Sequence, residues 1–201
     1  MTIYTFLAAI ISAMLINNVV LMQFLGICPF LGVSKKIEAS VGMSAAVAFV
    51  MLIATIVTWP LYTFILVPLE IEFLSTIAFI LVIASLVQLV EMILKKHSPS
   101  LYKSLGVYLP LITTNCAILG VANSNVLIEV PGASQLAVFG LVIATTLGTA
   151  LGFGLIMFSF SSIRERLDSL DIPEAFKGVP ISLVVAGCMS LAFIGLGGLI
   201  G

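Results

Sequence analysis

Six charge-free stretches constrain this 201-residue chain more than any other feature of its sequence. They cover residues 1–34, 39–69, 73–90, 104–128, 130–163 and 178–201. A helix needs about 20 apolar residues to cross a bilayer, and each stretch reaches or approaches that length. Only 8% of the residues are charged, whereas a soluble domain carries about 25%. The sequence therefore predicts an all-α integral membrane protein with six transmembrane helices.

The positive residues predict the orientation of these helices. All eight fall in the first, third and fifth connections: Lys35, Lys36, Lys95, Lys96, Lys103, Arg164, Arg166 and Lys177. Cytoplasmic loops carry the excess of Lys and Arg, so these three loops are expected in the cytoplasm and both termini on the outer side. No Lys or Arg precedes the first apolar run, so we expect the first span to be retained rather than cleaved as a signal peptide. A net charge of −1 without a basic stripe gives no indication of a nucleic-acid partner.

The two halves of the chain resemble each other at an offset of 88 residues. The segment CPFLGVS at 28–34 aligns with CAILGVA at 116–122, matching at Cys, Leu, Gly and Val. Each half holds three predicted spans, so the second half must enter the membrane from the opposite side. We therefore predict a single membrane domain, 1–201, built from inverted repeats at 1–103 and 104–201. Such repeats place functional sites near the membrane midplane, on interrupted helices.

Helix-breaking residues surround both aligned cysteines. They are Gly26, Pro29 and Gly32 near Cys28, and Pro110, Gly120 and the run TTN (113–115) near Cys116. Irregular backbone at membrane depth survives only where protein or a cavity covers it. Helices 1 and 4 are therefore predicted to be interrupted, and the Cys-Pro motif to form a buried junction that directs a sulfur inward. Asn17 and Asn18, in the middle of the first span, are expected to form hydrogen bonds between helices.

The residues alone leave the role of the two cysteines open. Packing is common, because cysteine behaves as a small and often buried hydrophobe. A disulfide is disfavoured by membrane-centre burial and by the odd total of three cysteines. Metal ligation by thiolate is the third alternative, but a pair of cysteines cannot complete the four-ligand shell of an iron–sulfur cluster. A partner chain would then supply the rest. Cys188 has no counterpart in the repeat, and we expect it to pack.

Three segments carry a resemblance to a known family. They read NNVVLMQFLGICPFLGVSKK, FILVIASLVQLVEMILKKHSPSLYKSLGVYLPLITTNCAILGVA and IRERLDSLDIPEAFKGVPISLVVAGCMSLAF. With them the chain resembles the A subunits of the Rnf (Rsx) ion-translocating electron-transport complex, over nearly its whole length. This family is shared with the D and E subunits of the sodium-translocating NADH:quinone oxidoreductase.

The resemblance implies a role in electron transfer. The A and E subunits of Rnf form a pseudo-symmetric pair in the bacterial inner membrane, and two cysteines from each hold a [2Fe–2S] cluster. Cys28 and Cys116 match the ligand positions. From the residues themselves, Gly26, Pro29, Thr114 and Asn115 are candidates for the surroundings of the cluster. The Thr and Asn side chains either hydrogen-bond its sulfurs or only satisfy backbone groups freed by the break. The cluster relays electrons between cytoplasmic iron–sulfur carriers and covalently bound flavin on the outer side.

The resemblance also implies a larger assembly. The B, C, D and G subunits complete the complex, which couples electron transfer between ferredoxin and NAD to Na⁺ or H⁺ movement. No independent active site is expected in this chain. Two alternatives remain at this stage: a component of the sodium-translocating NADH:quinone oxidoreductase, or a small inverted-repeat transporter without metal.

Overall fold

The protein is described by a computed structural model that covers residues 3–34, 37–97, 109–128, 130, 132, 134–170, 173 and 176–197. All regular structure within these ranges is helical, which confirms the predicted all-α class. The helices are α1 (Ile3–Ile11), α2 (Ile27–Val33), α3 (Ile37–Leu61), α4 (Ser75–His97), α5 (Leu109–Thr113), α6 (Cys116–Val126), α7 (Gln135–Asp168) and α8 (Val179–Gly197). The π-helical turns Ser12–Ile16 and Tyr62–Leu66 extend α1 and α3, and the 3-10 turn Glu72–Leu74 precedes α4.

Three helices of the described chain are long and apolar enough to cross a membrane. They are Ile37–Leu66, Glu72–Met92 and Gln135–Leu167, which correspond to predicted spans 2, 3 and 5. The first and last stretches contribute shorter apolar helices. The count of six spans and their inverted arrangement therefore stay predictions. The boundary between the repeats, at 103/104, lies outside the described residues.

The first and fourth apolar stretches are both interrupted, as predicted. In the first, helix ends at Ile16 and resumes at Ile27; in the fourth, it ends at Thr113 and resumes at Cys116. Only one of the three predicted breakers in the first stretch, Gly26, lies in the gap. Pro29 is the third residue of α2, where the missing N–H costs no helical hydrogen bond.

The first interruption begins at the two asparagines. The Asn18 carboxamide donates to the carbonyl of Met14 at 3.0 Å and accepts from the N–H of Val20 at 3.0 Å. Its buried side chain thus takes the place of backbone partners where the helix stops. The expectation that Asn18 bonds to another helix was wrong, because both of its bonds are local. Asn17 is exposed and follows the π-helical turn.

The core is centred on the 34-residue helix α7 and joins residues from both halves of the sequence. Its fully buried members on α7 and α3 are Phe153, Ile156, Met157, Phe160, Met43, Val47 and Met51. A buried polar contact ties three helices together beside this core. The Asn125 carboxamide of α6 donates to the hydroxyls of Thr55 on α3 at 3.2 Å and Thr146 on α7 at 3.0 Å. Such side-chain hydrogen bonds between helices stabilise membrane bundles.

Two glycines of α7 allow the first helical segment to pack directly against its backbone. A Cβ at Gly148 would lie 2.5 Å from the carbonyl oxygen of Ile10, and one at Gly152 would lie 2.7 Å from that of Met14. These are contacts to main chain, which cannot move aside as a flexible side chain can. Gly148 and Gly152 form a GxxxG pair, a pattern that brings membrane helices into close contact.

We predict that Gly152→Ala lowers the thermal unfolding midpoint of the purified membrane complex. Overpacking of this kind costs about 1–3 kcal/mol, more than the ~1 kcal/mol that alanine gains over glycine in a helix. Gly154→Ala is the matched control on the same helix, because its Cβ would lie 3.7 Å from that of Ser44, an ordinary contact. Gly154→Ala should leave the midpoint unchanged or raise it. Equal midpoints for the two variants would contradict the close packing of α1 on α7.

Candidate metal centre

Cys116, at the interruption of the fourth apolar stretch, contacts the interruption of the first stretch. Cys116 is the first residue of α6, and its Sγ accepts a hydrogen bond from the backbone N–H of Gly26 at 2.9 Å. Gly26 is the N-cap of α2. The hydrogen bond therefore joins the break in the first apolar stretch to the break in the fourth. A thiol sulfur is a weak acceptor, whereas hydrogen bonds to an ionised acceptor are stronger. The contact gives the Cys116 sulfur a backbone donor at the point where the two interrupted helices meet.

Gly26 is required by both its conformation and its surroundings. Its φ of +83° lies in the left-handed region, which side chains rarely adopt. A Cβ there would also lie 3.0 Å from the ring of Phe153 and 3.2 Å from the Cβ of Ala117. Phe24, two residues earlier, has a φ of 54°, which is unusual for a bulky residue. The backbone is thus held in a strained path where it approaches Cys116.

Cys28 lies two residues beyond Gly26, as the second residue of α2. Pro29 and Phe30 are buried beside it, whereas the Cys28 side chain is exposed on this chain. The expectation of an inward-directed sulfur is therefore corrected: the junction at Gly26 and Pro29 is buried, but the sulfur is not. An exposed sulfur at a buried junction is open to a group shared with another protein chain.

The side chain of Asn115 has a hydrogen-bond acceptor and a donor, and only the acceptor is satisfied in the described structure. Its Oδ1 accepts from the N–H of Ala117 at 3.0 Å, which makes it the N-cap of α6. Its Nδ2 is buried and, within the described residues, has no hydrogen-bond partner. Because an unsatisfied buried donor is costly, an acceptor is expected beside it in the complete assembly.

The remaining predicted positions contribute less. Thr114 is exposed in the turn between α5 and α6. Cys188 is exposed on α8, so its side chain does not pack inside this chain. Of the four residues predicted beside a cluster, Gly26 donates to the Cys116 sulfur, and Asn115 is the N-cap of the helix that begins at Cys116. Pro29 is buried next to Cys28.

The donor set fits half of an iron–sulfur site. Within the described ranges, no three residues of the types His, Cys, Asp and Glu come together as a metal group. Two cysteines can supply two of the four ligands that such a cluster takes. The N–H of Gly26 and the orphaned Nδ2 of Asn115 are donors of the kind that stabilise bound sulfur. The residues present therefore fit the group, provided that another chain completes it.

Sequence reasoning missed Arg164, which was assigned to a cytoplasmic connection. In the structure it lies within α7 and is 7% exposed, and its Nη1 donates to the carbonyl of Leu31 and the hydroxyl of Ser34. No sequence signal separates it from Arg166, two residues on and exposed. Only the packing of α7 against α2 distinguishes the two arginines.

A cavity of about 320 Å³, lined by both apolar and polar side chains, opens beside the first interruption. Uncharged polar side chains line it, among them Ser12, Asn17, Gln23, Asn125, Thr145 and Thr149. No acidic side chain of the described chain contributes to its wall. The cavity is large and polar enough to hold water within an otherwise apolar bundle.

The fold and the site define a class: a helical membrane protein with two interrupted helices whose cysteines lie at the breaks. The profile of the family described as "Rnf-Nqr subunit, membrane protein" matches residues 6–200. The chain therefore belongs to the Rnf-Nqr family of membrane proteins.

Curated relatives match over nearly the full length. A protein of Acetobacterium woodii, named as the A subunit of a Na(+)-translocating ferredoxin:NAD(+) oxidoreductase complex, is 54% identical over 195 residues, or 97% of this chain and 98% of its own. Two proteins named as A subunits of an ion-translocating oxidoreductase complex are each 52% identical. The one in Pasteurella multocida matches over 97% of this chain and 98% of its own, and the one in Proteus mirabilis over 97% of both. The resemblance found in the sequence is thus confirmed.

We predict that Asn115→Ala destabilises the complex by about 1 kcal/mol through loss of the α6 cap. Asn115→Ser restores a hydroxyl acceptor at the N-cap, so it should recover part of that loss. The measurement is the unfolding midpoint of the purified complex in detergent. If the serine variant were no more stable than the alanine variant, capping would not be the structural role of Asn115.

Proposed function

We propose that this chain is the A subunit of an Rnf-type ion-translocating oxidoreductase complex, and that Cys28 and Cys116 supply half of the ligands of an intramembrane [2Fe–2S] cluster. The other two ligands come from the homologous E subunit. The hydrogen bond from the Gly26 N–H to the Cys116 Sγ carries the proposal, because it brings the two interrupted helices together at sulfur. The names and identities of the relatives support the place of the chain in such a complex.

Each residue of the site has a task in this proposal. Cys28 and Cys116 hold iron as thiolates, and the exposure of Cys28 leaves its sulfur open to a site shared with the E subunit. The Gly26 N–H donates to the Cys116 sulfur, which stabilises negative charge at the site and favours reduction. Phe153, Ala117 and Ile118 are buried around the junction and exclude water. When bound, the cluster supplies one-electron transfer across the apolar interior of the membrane.

The catalytic activity belongs to the assembly rather than to this chain. In this proposal the B, C, D and G subunits complete the complex, and the cluster would relay electrons between iron–sulfur carriers on the cytoplasmic side and flavin on the outer side. The complex couples electron transfer between ferredoxin and NAD to movement of Na⁺ or H⁺. In this proposal the chain lies in the inner membrane with both termini outside and loops 1–2, 3–4 and 5–6 in the cytoplasm.

Two other functions compete with this one. A component of the sodium-translocating NADH:quinone oxidoreductase belongs to the same family. The relatives described above, at 52–54% identity, are instead named as A subunits of a ferredoxin:NAD(+) oxidoreductase complex or of an ion-translocating oxidoreductase complex. A transporter acting alone would need no iron and would move its solute when reconstituted without partners. The exposed sulfur of Cys28 at a helix break favours a site that another chain completes.

The cluster assignment predicts a different outcome for each cysteine. Cys28→Ser and Cys116→Ser should each abolish the [2Fe–2S] EPR signal assigned to this site in the purified complex, because serine replaces a thiolate ligand. Cys188→Ser is the matched control, since Cys188 is exposed as Cys28 is but lies at no helix break. It should retain the signal and the iron content. An unchanged spectrum in both Cys28→Ser and Cys116→Ser would refute the ligand assignment.

A further inference from the structure

We propose that Arg164 is a positioning residue for Cys28, which it holds in place through the short helix α2. The inference rests on the proposed function, because it gives Arg164 a role only if Cys28 is a cluster ligand. Its basis is a buried cation on α7 whose guanidinium binds the far end of the helix that carries Cys28.

Arg164 makes two hydrogen bonds to the C-terminal end of α2. Its Nη1 donates to the Leu31 carbonyl at 2.8 Å and to the Ser34 hydroxyl at 2.8 Å. The last carbonyls of a helix have no partner within the helix, and a cation is the favourable donor for them. Ser161, one turn earlier on α7, adds a third bond from its hydroxyl to the Ser34 carbonyl at 3.1 Å.

The same face of α7 follows α2 along its whole length. Phe153 contacts the Gly26 position at the start of α2, and the ring of Phe160 stacks on that of Phe30 with centroids 3.9 Å apart. Arg164 closes the far end. A helix of seven residues is too short to be stable by itself, so its position depends on these contacts. The position of Cys28 therefore depends on the contacts between α7 and α2.

The chemistry of this position favours arginine over other residues. Burying a cation costs free energy unless hydrogen bonds compensate it. Both bonds come from the same nitrogen, Nη1, which donates to the carbonyl and to the hydroxyl. A guanidinium is also more weakly hydrated than an ammonium, so arginine suits a buried position better than lysine does. Cys28 precedes Leu31 by three residues, a rise of about 4.5 Å along the helix. The guanidinium lies beyond the Leu31 carbonyl, at the opposite end of α2 from Cys28. Because charges interact strongly in an apolar interior, this buried positive charge also favours the reduced, more negative cluster.

The test compares Arg164→Met, Arg164→Lys and the control Arg166→Met in the purified complex. Two quantities are measured: the chelator concentration that removes half of the [2Fe–2S] EPR signal, and the midpoint potential of the remaining cluster. Arg164→Met should lower the chelator concentration about 10-fold, as loss of a residue supporting a metal ligand does, and should also lower the midpoint potential. Arg164→Lys keeps the charge and should restore most of the potential. Arg166→Met should match the wild type in both.

An Arg164→Met complex that matches Arg166→Met in both measurements would overturn the proposal. If Arg164→Met fails to assemble, Ser34→Ala decides instead, because it removes one acceptor of the guanidinium and leaves the cation in place. A fall in its chelator resistance supports the proposal, and wild-type resistance overturns it. Absence of the EPR signal from the wild-type complex would instead refute the cluster assignment itself, so the two failures are distinguishable.

Discussion

The structure depends on the hydrogen bond between the backbone of one interrupted helix and the cysteine of the other. An interruption inside a membrane leaves backbone donors without a helical partner, and lipid offers none. The Gly26 N–H meets this demand with the Cys116 sulfur, and the Asn115 side chain meets it at the start of α6. Two groups near the breaks have no partner in the described structure: the buried amide of Asn115 has no acceptor, and the exposed sulfur of Cys28 faces outward. The exposed sulfur is the feature that supports our proposal of a site shared with another subunit.

Helix α7 organises the protein around this site. Gly148 and Gly152 allow the backbone of the first helical segment to pack closely against α7. The ring of Phe160 stacks on Phe30 of α2, and Arg164 donates to a backbone carbonyl near the end of α2. A single long helix can do this because residues seven and eleven positions apart lie on nearly the same face. The two short helices at the breaks cannot hold their own positions. The positions of the two cysteines therefore depend on α3 and α7, long helices that contribute no ligand.

The sequence predicted the fold class and the helix interruptions, but it did not predict which side chains face outward after the helices pack. The charge-free stretches predicted a helical membrane protein, and the glycine and proline clusters predicted the interruptions next to Cys28 and Cys116. The exposure of Cys28 and Cys188 was not predictable, because it depends on which way each helix faces after packing. Arg164 was mistaken for a loop residue for a similar reason: a charge at the end of an apolar stretch is usually solvated, and only the approach of α2 makes it buried.

The most direct test is an experimental density map of the intact complex in a lipid bilayer. The account predicts iron density bonded to the sulfurs of both Cys28 and Cys116, continuous with two cysteines of a neighbouring homologous chain, and an acceptor within hydrogen-bond distance of the Asn115 amide. A map in which the two sulfurs face lipid or are separated by packed side chains, with no metal between the neighbouring chains, would contradict it.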